Sequence, residues 1–300
     1  MTSDERHSSW QALLQIAAYR RSARTSSASA SLSANGPHQS LLTEPAPDLF
    51  ALYAHLAAGS GNLPGHYCLA HLGQSIDGCI ATESGHSLYV TGQANLVHLH
   101  RLRALSDAII VGKATVAADD PRLTTRLVDG PSPVRVILDK DASLSASHAL
   151  FSDQRAQTLV VCAEGQTPAA VSEEQTVRVP VVEGQLSLLA VRDALSQRGL
   201  RVLFVEGGGV TVTRFVQSGL LDRLHIAIAP VLIGLGRRGI ALPSASDMPT
   251  AVRPPARLYR MGEDILWDLD LSAASGDELD IGDGPVTADY KLDNWPHRVV

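Results

Sequence analysis

RVLFVEGGGVTVTRFVQSGL, residues 201–220, carries the reading that decides the fold. An apolar run rich in β-branched residues ends at Glu206, three glycines follow, and an amphipathic helical pattern begins at Thr211 and runs to Ser218. Apolar strand, glycine turn and helix in immediate succession form half of a βαβ unit. Glycines at such a turn let a backbone approach a ligand closely, and the N–H groups at the helix start can meet phosphate. The same turn can also be a tight strand–helix corner with no ligand, and the segment alone leaves both readings open.

Outward from this unit the pattern repeats. Tyr67 to Gly73, Ala108 to Val111, Val134 to Leu138, Thr158 to Cys162 and Leu224 to Ala229 are short Val/Ile-rich runs bounded by Gly, Pro or Asp. Helical periodicity separates several of them, at Gln93 to Leu105 and at Leu186 to Gln197. The alternation predicts an α/β layer structure with a mainly parallel sheet.

The flanks differ in character. Trp10 to Tyr19 has helical spacing, and Asp48 is a candidate N-cap for a short helix reaching Ala57. Between them, Arg21 to Ser40 is rich in Ser and Ala and almost free of large apolar residues, so it reads as a linker. Ser272 to Val300 reads as a polar, acidic tail. The expected organisation is a helical extension over residues 1–63, a catalytic domain over 64–272 and a tail over 273–300. Residues 1–40 are expected to be dispensable for turnover.

A formal net charge of −6 argues against a nucleic-acid partner. Cys68, Cys79 and Cys162 are too scattered for a disulfide framework or a thiolate zinc site. The N-terminus lacks a secretory signal and no segment has the apolar length of a membrane span, so a cytoplasmic protein without a membrane partner is expected. No metal is expected: His98 and His100 lie two apart on the predicted helix and face different ways. Zinc-deaminase, HEXXH, P-loop and G-x-S-x-G signatures are absent. Gly234-Leu-Gly236-Arg-Arg-Gly239 matches the dinucleotide fingerprint in form, but a proline-containing loop follows it instead of a helix, so it reads as a decoy. TVAADDPRLTTR, residues 115–126, follows an apolar strand and joins Asp119 and Asp120 to Arg122 and Arg126 across a proline turn. It reads either as a ligand-orienting loop or as a solvated Asp-Pro turn.

Together these segments resemble the reductase domain of riboflavin biosynthesis, which folds like dihydrofolate reductase. HLGQSIDGCIATESGHSLYVTG (71–92), LRALSDAIIVGKATVAADDPRLTTR (102–126) and VEGGGVTVTRFVQSGLLDRLHIAIAPVLIGLG (205–236) are similar to the family's ordered motifs, and RLYRMGEDILWDLDL (257–271) to its closing strands. The resemblance implies a three-layer sandwich around a mixed, mostly parallel sheet. It also implies NADPH-dependent reduction of 5-amino-6-(5-phosphoribosylamino)uracil to its ribitylamino product by a homodimer. By resemblance Gln74, Tyr89, Thr115, Asp119, Lys140 and Gly207, Gly208, Gly209, Val210 and Thr211 would line the dinucleotide, Lys140 near its extra phosphate. Ser87, Arg103, Leu123, Arg126 and Glu206 would face the substrate, the arginines taking its phosphate, and Asp119 and Glu206 are the candidate acid–base groups. Gln74 stands where the family usually has a smaller residue. With no deaminase signature in residues 1–63, only the reduction is expected. The alternatives are a same-fold reductase of a pteridine or other nitrogen heterocycle, and a non-catalytic dinucleotide-binding regulator.

Overall fold

The computed structural model describes residues 3–25, 48–61, 66–88, 90–249 and 251–272. Most of the linker and nearly all of the tail expected from composition therefore lie outside the described residues.

The helices are α1 (Ser3–Thr25), α2 (Asp48–Ala58), α3 (Gln93–Leu105), α4 (Lys113–Asp119), α5 (Ala149–Ser152), α6 (Leu188–Gln197) and α7 (Gly209–Gln217). The strands are β1 (Tyr67–Ser75), β2 (Cys79–Thr82), β3 (Ala108–Gly112), β4 (Val134–Leu138), β5 (Thr158–Ala163), β6 (Thr176–Val179), β7 (Val181–Val182), β8 (Gln185–Leu186), β9 (Val202–Glu206), β10 (Arg223–Ala229), β11 (Gly236–Arg238), β12 (Ala256–Met261) and β13 (Asp264–Asp270). Nine of them form one sheet in the order β12-β13-β10-β1-β9-β3-β4-β5-β6. From β10 to β6 neighbouring strands run parallel, whereas β13 and β12 add antiparallel pairs at one edge. This is the mixed, mostly parallel sheet expected from the sequence.

Alternation along the central strands assigns each residue to a layer. Tyr67, Leu69, Ile109, Val111, Val202 and Phe204 belong to a core shared with α1, α2 and α3. Cys68, Ala70, Leu72, Ile110, Leu203 and Val205 belong to a second core with α6 and α7. Both faces are covered, which is why these strands read as unbroken apolar runs. Extending the alternation to the strand ends puts His71 and Glu206 toward α3 and Gln74 toward α7.

The N-terminal helices are part of the first core. Trp10, Leu13, Ile16 and Ala17 of α1, and Leu49, Tyr53 and Leu56 of α2, are buried beside Leu102 and Leu105. α1 runs on to Thr25, past the linker boundary expected at Arg21. The two arginines there fasten it. Arg20 donates to the carbonyls of Leu56, Ala57 and Leu105 and pairs with Asp107 at 2.7 Å. Arg21 donates to the carbonyls of Ala104 and Ser106. The last carbonyls of a helix have no intrahelical partner, so these arginines cap α3 from outside. Asp107 in turn accepts the N–H groups of Arg201 and Val202 and ties the cap to the start of β9. This packing argues against the expectation that residues 1–40 are dispensable, because their removal would open the first core.

Candidate functional site

The carboxyl ends of β1, β3, β4 and β9 converge on one edge of the sheet, where open α/β folds hold their ligands. β9 delivers Glu206 and the turn Gly207-Gly208, and α7 begins at Gly209. Thr115 on α4 reaches across from the neighbouring strand unit, its Oγ1 accepting the Gly208 N–H at 3.2 Å. Gly209 has a purely structural reason: a Cβ there would lie 1.8 Å from the Gly239 carbonyl oxygen. Gly207 and Gly208 have none of this kind. A Cβ at Gly208 would find only Thr115 Oγ1, at 3.7 Å, and one at Gly207 only Thr211, at 3.5 Å or more. Neither has a positive φ. Their small size thus leaves room beside the start of α7, whose first N–H groups lack intrahelical partners, and Val210 stands exposed in its first turn.

The decoy reading of Gly234 to Gly239 agrees with the structure. β11 pairs antiparallel with β2, and among the described residues no helix follows. Its glycines serve close packing: a Cβ on Gly236 would meet the Ala81 carbonyl at 2.4 Å, and one on Gly239 would meet Leu72 and Gln74 Oε1. Gln74 therefore rests against this segment on the α7 side of the sheet. Lys140, following β4, donates to the Gly184 carbonyl at 2.9 Å and keeps its side chain 39% exposed.

On the α3 side, Arg103 is the centre. It is buried, and its Nε and Nη2 donate to the two Glu206 oxygens at 2.8 and 2.5 Å. Its Nη1 donates to the Thr124 carbonyl at 3.0 Å. The guanidinium is thus largely engaged by protein, with only the remaining N–H groups of its fork left for a ligand. Arg126 differs. It is exposed, and among the described residues neither its guanidinium nor that of Arg122 makes a hydrogen bond or an ion pair. Partial burial, with the cations of Arg103 and Arg122 nearby and the Glu206 carboxylate opposing them, pushes the Arg126 pKa down from its ordinary value. A cation held among cations is a site suited to a dianion.

The loop carrying Arg126 is strained and well anchored. Asp120 and Leu123 adopt left-handed φ of 39° and 55°, conformations that cost non-glycine residues of order 1 kcal/mol or more. Leu123 is buried in the first core, so only its backbone can meet a ligand. Asp119 ends α4 exposed, and partial burial raises its carboxyl pKa despite the opposing charge of Arg237. Asp120 instead accepts the Ala149 N–H at 2.8 Å and has a structural role. Ser87 is exposed after β2, and no hydrogen bond joins its side chain to the Arg103–Glu206 pair among the described residues. Tyr89 lies outside the described residues.

The sequence reading missed a buried polar chain behind this site. Tyr53 Oη lies 2.5 Å from His98 Nδ1, His98 Nε2 lies 3.1 Å from His225 Nδ1, and His225 Nε2 faces Asp268 at 3.3 Å. Arg223 pairs with Asp268. The carboxylate can only accept, so His225 donates from Nε2 to Asp268, and the rings form one continuous chain of hydrogen-bond contacts from Tyr53 to Asp268. Burial pushes the His98 pKa well down, with His225 adding to the effect. His71 stacks obliquely on His98, bonds Asn95 at 2.9 Å and is pushed down to about 4 by burial and His225. The apolar setting of His98 on α3 was the only signal in the sequence.

The family model described as the RibD C-terminal domain matches residues 66–265. The 2,5-diamino-6-ribosylamino-4(3H)-pyrimidinone 5′-phosphate reductase of Methanothermobacter thermautotrophicus is 34% identical over 209 residues, covering 67% of this chain and 95% of that protein. The riboflavin biosynthesis protein RibD of Aquifex aeolicus is 34% identical over 164 residues, 54% of this chain and 46% of its own length. The solved structure of the riboflavin biosynthesis reductase Rib7 of Saccharomyces cerevisiae shares the fold at a TM-score of 0.60. It is 18% identical, and the match covers 75% of this chain and 99% of that one.

Proposed function

The chain belongs to the RibD C-terminal domain family, and on that premise we propose that it catalyses the NADPH-dependent reduction of 5-amino-6-(5-phosphoribosylamino)uracil to its ribitylamino product. The observation that carries this reading is the pair of glycines, Gly207 and Gly208, left small for no reason internal to the fold, directly after Glu206, whose charge is felt by an Arg126 guanidinium that makes no hydrogen bond or ion pair among the described residues. A dinucleotide would lie along Gln74, Thr115 and Gly207 to Thr211, with Lys140 near its additional phosphate; when bound it supplies hydride. Reduction places that hydride on the anomeric carbon and a proton on the ring oxygen released when the sugar opens.

The residues of the chain position and exclude. Arg126, assisted by the remaining N–H groups of Arg103, would take the ribose phosphate. Glu206 accepts from Arg103 with both oxygens, which suits it to orient substrate donors more than to give up a proton. Asp119, whose pKa burial raises, is the better candidate for delivering the proton. Ser87 and Leu123 would complete the substrate side, Leu123 through its backbone. The reading includes a cytoplasmic homodimer without nucleic-acid or membrane partners. Among the described residues no helix is long and apolar enough to cross a membrane.

A second reading keeps the chemistry and changes the base. The Methanothermobacter relative is named for a diamino pyrimidinone, not a uracil. Initial rates with NADPH and each of the two phosphoribosylamino pyrimidines decide between them. NADPH oxidation with one ring but not the other selects the substrate. Oxidation with neither, by folded protein, removes the proposal.

A further inference from the structure

His100 sits on α3 next to the site, yet neither the proposed reaction nor the buried chain of Tyr53, His98, His225 and Asp268 uses it. It is buried, at 3% exposure. Its Nδ1 lies 2.9 Å from the backbone nitrogen of Arg126 and 3.4 Å from that of Leu127. A backbone N–H can only donate, so Nδ1 must hold a lone pair and the proton of the neutral ring must be on Nε2. Nε2 lies 3.5 Å from Arg103 Nη1. Since both groups carry hydrogen, that contact is an approach of two donors and not a bond. His100 is thereby fixed in one tautomer, with its acceptor committed to the loop that presents Arg126.

The rest of the loop explains why such an anchor matters. Thr124 is held through its carbonyl by Arg103. Thr125 is held through its N–H by Ser132 and through its hydroxyl by the Pro131 carbonyl. Arg126 and Leu127 have only His100 for their N–H groups among the described residues. We propose that His100 is a positioning residue of the substrate-phosphate site: its neutral Nδ1 fixes the backbone at Arg126 and so aims the guanidinium. The proposal rests on the reading of Arg126 as the phosphate ligand. The charged groups facing the ring are Arg103 on its own helix, Arg126 on the loop and Glu206 on β9. With burial they hold its pKa down to about 4, with Glu206 opposing, so the ring stays neutral in ordinary buffers.

The test uses three variants of the full chain. In His100→Asn the amide oxygen occupies the place of Nδ1, in His100→Gln the terminal nitrogen occupies the place of Nε2, and His100→Ala removes both. Two readouts are taken: amide hydrogen exchange at Arg126 and Leu127 without ligand, and steady-state kinetics with the phosphorylated pyrimidine and NADPH. The expected result for His100→Ala is exchange at least tenfold faster at these two amides and a KM for the phosphorylated substrate raised about tenfold. Its kcat stays within about twofold, and its KM for NADPH is unchanged. His100→Asn restores both readouts and His100→Gln restores neither. Unchanged exchange in His100→Ala, rescue by Gln in place of Asn, or a parallel rise in both KM values overturns the proposal. If His100→Ala does not fold, the contrast of Asn with Gln carries the same decision. Exchange needs no substrate, so the two ideas can fail separately. A wild-type enzyme indifferent to the phosphate, with exchange as expected, overturns the ligand assigned to Arg126 and leaves the hold of His100 on the loop intact.

Discussion

Two pairs of arginines, Arg20 with Arg21 and Arg122 with Arg126, belong to segments that contact α3 and differ in what they bind. The first pair comes from the N-terminal extension, outside the segment matched by the family model, and is spent on the carbonyls of α2 and α3 and on Asp107. The second pair is exposed, and neither guanidinium makes a hydrogen bond or an ion pair among the described residues. A buried guanidinium with matched acceptors holds a fold together, whereas an unmatched one among like charges leaves affinity for an anion. Charge and residue type are the same in both pairs, so partner geometry alone separates structure from function. Arg103 stands between the two: it is matched to Glu206 yet placed in the site.

The comparison breaks most visibly if the extension is removed. Deleting residues 3–25 strips Trp10, Leu13, Ile16 and Ala17 from the first core, and the expected outcome is a protein that no longer folds cooperatively, read by thermal unfolding. Arg20→Ala leaves Asp107 with Arg21, at 3.4 Å, as its ion-pair partner but strips the buried carbonyls of Leu56, Ala57 and Leu105 of the Arg20 donor, a loss of about 3 kcal/mol. That corresponds to a Tm lower by roughly 10 °C for a chain of this size. Turnover of the variant at temperatures where it remains folded should be close to wild type. A Tm within a degree of wild type would show that the cap is not a structural clamp.

Arg126→Ala should do the reverse. Loss of charge-assisted hydrogen bonds to a dianion lowers kcat/KM for the phosphorylated substrate by about one to two powers of ten, with an unchanged Tm. Arg103→Ala sharpens the contrast, because it should lower both quantities: Glu206 is left at 19% exposure without its partner. If Arg103→Ala behaves like Arg126→Ala, with full stability, then the Arg103–Glu206 pair belongs to the site alone.

A smaller effect follows from the buried histidines. His71 is held near 4 when folded and near 6.5 when unfolded, so between these values only the unfolded chain takes up the proton. Stability is therefore complete above pH 6.5 and is lost as pH falls from about 6.5 toward 4. The loss from His71 alone is ~1.4 kcal/mol per pH unit, and His98 acts in the same direction. A Tm that does not change over that interval would mean that water reaches these rings. The smallest effect is expected for Lys140→Ala: a several-fold rise in the KM for NADPH with that for NADH unaltered, measured at fixed substrate.

The sequence exposed what is local and concealed what is distant. The bounds of α3, Gln93 to Leu105, matched the periodicity, and the glycine turn after Glu206 was visible because strand, turn and helix are contiguous. Strand β6 was not, since Thr-Val-Arg-Val is too short and polar to mark a buried run. The pairing of Arg103 with Glu206 spans 103 positions, and that of Tyr53 with His98 spans 45. No periodicity encodes such pairings. Arg20 and Arg21 were hidden for another reason: the Ser/Ala composition after them reads as linker, and two arginines beside it read as solvated. Their carbonyl partners on α3 exist only once the helix has ended at Leu105 and needs a cap.

The most direct test of the central claim is a comparison of wild type and Arg126→Ala with the phosphoribosylamino pyrimidine and its dephosphorylated analogue, at saturating NADPH. The account predicts that wild type favours the phosphorylated substrate by at least about tenfold in kcat/KM and that Arg126→Ala loses most of that preference. A variant that keeps the full wild-type preference would contradict it.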